Sequence, residues 1–154
     1  MKIQWVIAVS SFLAISCGND HQSVVKNETT SAEVGHDQHT DAGKLDLNHG
    51  ARWKADSSTN NNVKELQAIV DKFNGSTTRS VNAYNSTGIE LQAGLNKMIS
   101  ECKMKGAGHD ALHKWLEPMI SEIAQLQKST NEQEAADLVK QVDEQLKLYP
   151  QYFE

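Results

Sequence analysis

The sequence predicts an all-α protein: an antiparallel four-helix bundle behind an apolar leader and a polar tether. Three observations carry that prediction. Apolar residues from Val63 to Leu146 recur at spacings of three and four, the period of one helix face. Short Gly-, Ser- and Asn-containing turns separate four such segments, which makes sequence neighbours antiparallel around a shared core. The residues before Lys44 differ in composition from everything after them.

The chain opens "MKIQWVIAVSSFLAISCGND". Lys2 gives a short positive start, and Ile3 to Ile15 is mostly apolar. That run falls short of the roughly 20 residues that span a bilayer. Residues 1–16 therefore read as a removable secretory leader. Its end, "LAISCGN", resembles a bacterial lipobox, with Cys17 as the lipidated first residue of the mature chain. The match departs from the usual pattern at Ala14, where leucine is preferred, and Leu13 sits one place early. Plain secretion with an unmodified Cys17 is the alternative. Multiple acyl chains would anchor the protein stably, since a single chain holds only weakly. The expected location is the cell envelope, lipid-anchored to a bacterial membrane and facing the periplasm.

Residues 17–43 are rich in Ser, Thr, Asn, Asp, Glu and His. Such a segment cannot bury enough apolar surface to offset its chain entropy, so it reads as a disordered tether. It carries His21, His36 and His39, and "HDQH" places two imidazoles beside Asp37. His36 and His39 are candidates for loose metal capture; equally, they serve as ordinary polar linker residues.

Residues 44–59 form an expected extended lead-in, with Leu45, Leu47 and Trp53 as apolar anchors and a turn at "NHG". Trp53 should pack against one end of the domain. The bundle proper is assigned to 60–154. Asn60, Asn61 and Asn62 offer N-caps for the first helix, whose face is Val63, Leu66, Ile69, Val70 and Phe73. Gly75 is expected to end it as a left-handed cap. The second helix is expected over 78–105, with the seam Val81, Tyr84, Gly88, Leu91, Leu95, Met98, Cys102. Gly88 and Gly94 each cost about 1 kcal/mol relative to alanine, so a kink near Gly88 is expected. "GAG" at Gly106 to Gly108 closes a turn. The third helix starts at His109, with the seam Leu112, Leu116, Met119, Ile123 and Leu126, broadened by Trp115 and Ile120. Pro118 should kink it, because its ring removes the bond to the Lys114 carbonyl. Ser129, Thr130 or Asn131 caps the fourth helix, whose face is Leu138, Val139, Val142 and Leu146.

The stretch "ECKMKGAGHDALHKW" holds the chemistry. Cys102 is the only cysteine beyond the leader junction, so lipidation of Cys17 leaves it without a partner in the chain. Cys102 and His109 are expected to face one another across the open end of a helical hairpin, with His113 one turn below His109. Two imidazoles and a thiolate recur as helix-borne metal ligands. Met98 and Met104 add thioethers, which favour Cu(I), while imidazole with thiolate also suits Zn(II). Glu101 and Asp110 could support an imidazole tautomer. The structural reading stands beside this: a buried seam cysteine, helix-start histidines, core methionines and a plain turn.

Charge and composition narrow the function classes. The formal charge is −5, becoming −6 once Lys2 leaves with the leader, and no basic cluster is present, so nucleic acid is not an expected partner. No Ser–His–acid grouping can be placed. A Cys102–His109 nucleophilic pair lacks a third member, so the expectation is a protein that is not an enzyme.

"LNHGARWKAD", "ECKMKGAGHDALHKWLEP" and the terminal "YPQYFE" resemble motifs of small uncharacterised envelope lipoproteins of Bacteroidota-type Gram-negative bacteria, over most of 45–154. That resemblance implies a helical envelope lipoprotein loosely associated with heavy-metal handling, with Cys102, His109 and His113 as the positions carried over. The leading expectation is a membrane-anchored protein that binds Cu or Zn as buffer, sensor or chaperone for a metal-efflux or other envelope partner. The alternative is a non-catalytic helical interaction module of an envelope assembly, without metal.

Overall fold

The computed structural model describes residues 44–154. The leader, Cys17 and the tether histidines lie outside the described residues. Four helices follow in order: α1 Ser57–Gly75, α2 Val81–Glu101, α3 Ala107–Leu126 and α4 Glu132–Tyr152. No strand occurs among the described residues, only two isolated β-bridges. No helix among them is long and apolar enough to cross a membrane.

Helix ends are set by caps, and several differ from expectation. α1 starts at Ser57, one turn before the asparagines, because Asp56 is the N-cap and its carboxylate accepts from the Thr59 amide at 2.6 Å. A carboxylate satisfies that free donor and also meets the positive end of the helix dipole. Asn62, expected to cap, is instead buried inside the helix. Gly75 is not left-handed; the helix passes into extended Ser76, whose N–H returns to the Phe73 carbonyl. α2 is shorter than expected at both ends, running from a Ser80 cap to Glu101. α3 starts two residues early, from Gly106 at φ +63°, a left-handed conformation that glycine adopts without a Cβ clash. Asn131 caps α4 by accepting from the amides of Gln133 and Glu134.

The core is the predicted one. Leu66, Val70, Leu91, Leu95, Met98, Leu112, Trp115, Met119, Ile123, Leu126 and Val142 are fully buried or nearly so. Ile120 is exposed and does not broaden the seam, and Ile69 and Val81 are only half-buried. α1 packs chiefly on α2 and α3 chiefly on α4; α2 joins the two hairpins, and α1 and α3 do not touch. α2 stays continuous through Gly88, with no break there. The helix uses its two glycines for close approach. A Cβ at Gly94 would sit 2.8 Å from a Leu66 methyl, and one at Gly88 would sit 3.1 Å from Leu126 and Gln127. Removing the side chain lets neighbouring backbones come nearer, which offsets the propensity cost. α3 likewise runs unbroken past Pro118. Alongside, Trp115 and Gln145 exchange two bonds: Trp115 Nε1 donates to the Gln145 carbonyl at 2.9 Å, and Gln145 Nε2 donates to the Trp115 carbonyl at 2.5 Å. These bonds lock the α3–α4 register.

The lead-in is pinned to the C-terminus. Asn48 and Ala51 exchange both backbone bonds around His49 and Gly50, both at positive φ. That is the two-residue hairpin turn whose twist suits paired strands. Beyond it, Trp53 N–H donates to the Tyr152 carbonyl, Glu154 N–H to the Trp53 carbonyl and Ala55 N–H to the Glu154 carbonyl. The side chains of Arg52 and Lys54 pair with Glu154. Trp53 packs at one end of the core as expected, its indole N–H on the Asp46 carbonyl. Leu47 remains exposed and anchors nothing. α4 itself ends in an aromatic group: Trp115, Tyr149 and Phe153 lie within 6.3 Å of one another, and Tyr149 stacks on Phe153 at 4.9 Å.

Candidate functional site

The predicted site residues lie on and around the α2–α3 connection, and only two of them meet. His109 and His113 occupy successive turns of α3, the spacing that brings side chains together on a helix surface. Their Nε2 atoms are 3.2 Å apart, with the rings edge-to-face at 4.4 Å. His109 is half-buried and His113 exposed, so the pair opens to solvent. Two ring nitrogens this close can hydrogen-bond to one another or serve as two donors to one ion. A shared proton between neutral rings, or an ion accepting both lone pairs, satisfies that geometry.

Cys102 does not join them. Among the described residues, no three His, Cys, Asp or Glu side chains are grouped to hold a metal. The reason lies on both sides of the cysteine. α2 ends at Glu101, so Cys102 is not in a final helical turn but in an extended C-cap conformation. Its neighbours are then clasped by the start of α1. The Glu101 carbonyl accepts from Ser58 Oγ at 3.0 Å, and its carboxylate accepts from Asn62 Nδ2 at 2.8 Å. The Lys103 amide donates to Asp56 at 2.6 Å. Held there, the half-buried thiol lies against the core on the side of Asp56 and Tyr149. Burial, then the nearby Asp56 and Cys102 groups, raises the Tyr149 phenol well above its ordinary value. That phenol bonds the Asn60 side chain at 2.9 Å.

The two methionines are placed as packing residues. Met98 is fully buried in the core. Met104 is half-buried beside Trp53 and Gly108 at the head of α3. Asp110 lines a cleft of about 260 Å³, shared with Lys44, Leu45, Trp53 and Lys114. A larger groove of about 410 Å³ runs between α1 and α4 past Val63, Leu146, Pro150 and Phe153. Val63, Leu146, Tyr149 and Phe153 are themselves nearly buried, so the groove offers a ligand little apolar surface.

Asp56 is the residue that sequence reasoning passed over. Burial pushes its pKa up, but the Thr59 and Lys103 amides and the Ser58 hydroxyl outweigh that and hold it at about 2, below the ordinary 3.8. The signal was present in "ADSST", where an acidic cap stands ahead of small polar residues. Comparison with protein-family models, curated proteins and solved structures gives no match for this chain.

Proposed function

We propose that this chain is an envelope lipoprotein, anchored through Cys17 and facing the periplasm, that captures a borderline divalent metal ion at His109 and His113. The supporting observation is the 3.2 Å approach of the two Nε2 atoms on an open helix face. Imidazole donors suit Zn(II) and Cu(II). Cu(I) is disfavoured because the Met98 side chain is sealed in the core and Cys102 is not grouped with the two imidazoles. Two protein ligands leave the remaining coordination positions open, which fits a buffer or chaperone that passes its ion to an envelope or efflux partner. His36 and His39 in the tether would raise the local ion concentration. Titration of the full-length protein with Zn(II), Cu(II) and Cu(I), followed by a competing indicator, tests this reading. The expected result is at least a tenfold loss of Zn(II) affinity in His109→Ala and His113→Ala and little change in Cys102→Ala. Equal affinity in the His109→Ala, His113→Ala double variant would overturn it.

The interaction-module reading draws on a different observation. Ile89 and Ile99 project from α2 at 60% and 53% exposure, among the few large apolar side chains left in water. Isolated surface apolars are common, so this reading needs a captured partner whose binding is lost in Ile89→Ser, Ile99→Ser.

A further inference from the structure

The histidine pair is half of a coordination sphere. Zn(II) in protein sites is almost always held tetrahedrally, and this chain brings two nitrogens to the point where four donors are wanted. Among the described residues no third His, Cys, Asp or Glu side chain is grouped with them. Glu117 lies one further turn along the same face, and Lys105 stands just ahead of the α3 N-terminus. Both are exposed, and among the described residues neither is in an ion pair. His109, His113 and Glu117 follow one another along one stripe, so one ion cannot be reached by all three: the ends are just over two helical turns apart, about 12 Å.

Resting on the metal-capture reading above, we propose that the site is completed by a second copy of this chain, with one Zn(II) held by His109 and His113 of each. A two-fold axis through the ion makes the contact self-complementary, as a closed dimer requires. With the α3 helices antiparallel across that axis, the axis crosses them level with Ala111. The turn just ahead of α3, which carries Lys105, then comes to the same end as Glu117 of the other copy. That arrangement brings opposite charges together on both sides of the ion. The parallel arrangement would instead set Glu117 against Glu117. Charge pattern and ligand deficit thus favour the same antiparallel pairing, in which the bound ion supplies most of the association and the ion pairs fix its register.

Sedimentation velocity on the chelator-stripped full-length protein tests the pairing, with Zn(II) content measured on the sedimenting species. A background with His21, His36 and His39 replaced by alanine removes tether binding. The expected result is a Zn(II)-dependent doubling of mass with one ion per two chains. It should reverse with chelator and be lost in His109→Ala and in His113→Ala. Glu117→Lys should weaken the dimer about tenfold, and the charge swap Lys105→Glu, Glu117→Lys should restore it. Circular dichroism on each variant confirms that the helices are retained. One ion per monomer without a change in mass would overturn the dimer and leave metal capture standing. No Zn(II) binding would overturn both. A dimer that persists with chelator, or in the histidine variants, would overturn the metal-bridged pairing.

Discussion

Replacing Asp56 by alanine should destabilise the domain out of proportion to its surface position. One carboxylate oxygen caps α1 through the Thr59 amide and Ser58 hydroxyl; the other takes the Lys103 amide at the end of α2. Loss of an N-cap costs about 1 kcal/mol. Leaving the Lys103 donor without its charged partner adds about 1 kcal/mol, discounted because the carboxylate is only partly buried. The expected total is about 2 kcal/mol, or a fall in Tm of roughly 10 °C for a domain of this size. Asp56→Asn should lose about half as much, since its oxygen can still serve one amide while its NH2 cannot accept from the other. The sign with pH is definite. Because the folded carboxyl titrates near 2 against an ordinary 3.8, its contribution is complete above the ordinary value and disappears as pH falls through about 2. Urea unfolding followed by circular dichroism, for wild type and Asp56→Ala at neutral pH and in steps down to acid, measures both quantities. A difference below about 0.5 kcal/mol at neutral pH, or one unchanged by acid, would refute the clasp.

Four further substitutions test the packing. Gly75→Ala, with open space at the end of α1, should stabilise by about 0.5–1 kcal/mol, whereas Gly94→Val should destabilise by about 2 kcal/mol as its branches meet Leu66; thermal melts give both signs. Glu122 is pushed up, first by burial and then by Glu144, and one of its oxygens is sealed without a partner, so charging it costs the folded state. Glu122→Gln should therefore raise stability by up to about 1 kcal/mol near neutral pH, after allowance for solvent screening, and the gain should vanish as pH drops below the ordinary 4.5; an equal gain in acid would contradict this. Trp115→Phe should cost about 2–3 kcal/mol, because it opens a void and removes the indole donor that ties α3 to the Gln145 carbonyl of α4, with chemical denaturation as the measure.

Local chemistry made the bundle legible. The three-and-four spacing of Leu66, Leu91, Leu95, Leu112, Leu116, Met119, Ile123 and Leu138 lies within single helices, so a one-dimensional pattern already states which face is buried. The Asn131 cap and the "NHG" turn were readable for the same reason: each is satisfied by residues a few places away. The His109–His113 approach also belongs to this class, since one turn of helix brings four-apart residues together wherever that helix sits.

What only the tertiary structure decided involves partners far apart in the chain. Cys102 was expected to face His109 because both lie on apolar seams beside one turn. Its neighbours are instead held by Asp56, Ser58 and Asn62, the Asp56–Lys103 bond alone spanning 47 residues. Gly88 read as a weak point and proved to be a contact, because the residues it admits, Leu126 and Gln127, stand at the end of α3 and just beyond it. The pairing of Trp53 with the C-terminal residues is the same kind of fact. Periodicity fixes which way a side chain faces relative to its own helix axis. Which neighbour it meets depends on how four axes are brought together, and those contacts leave no mark on adjacent residues.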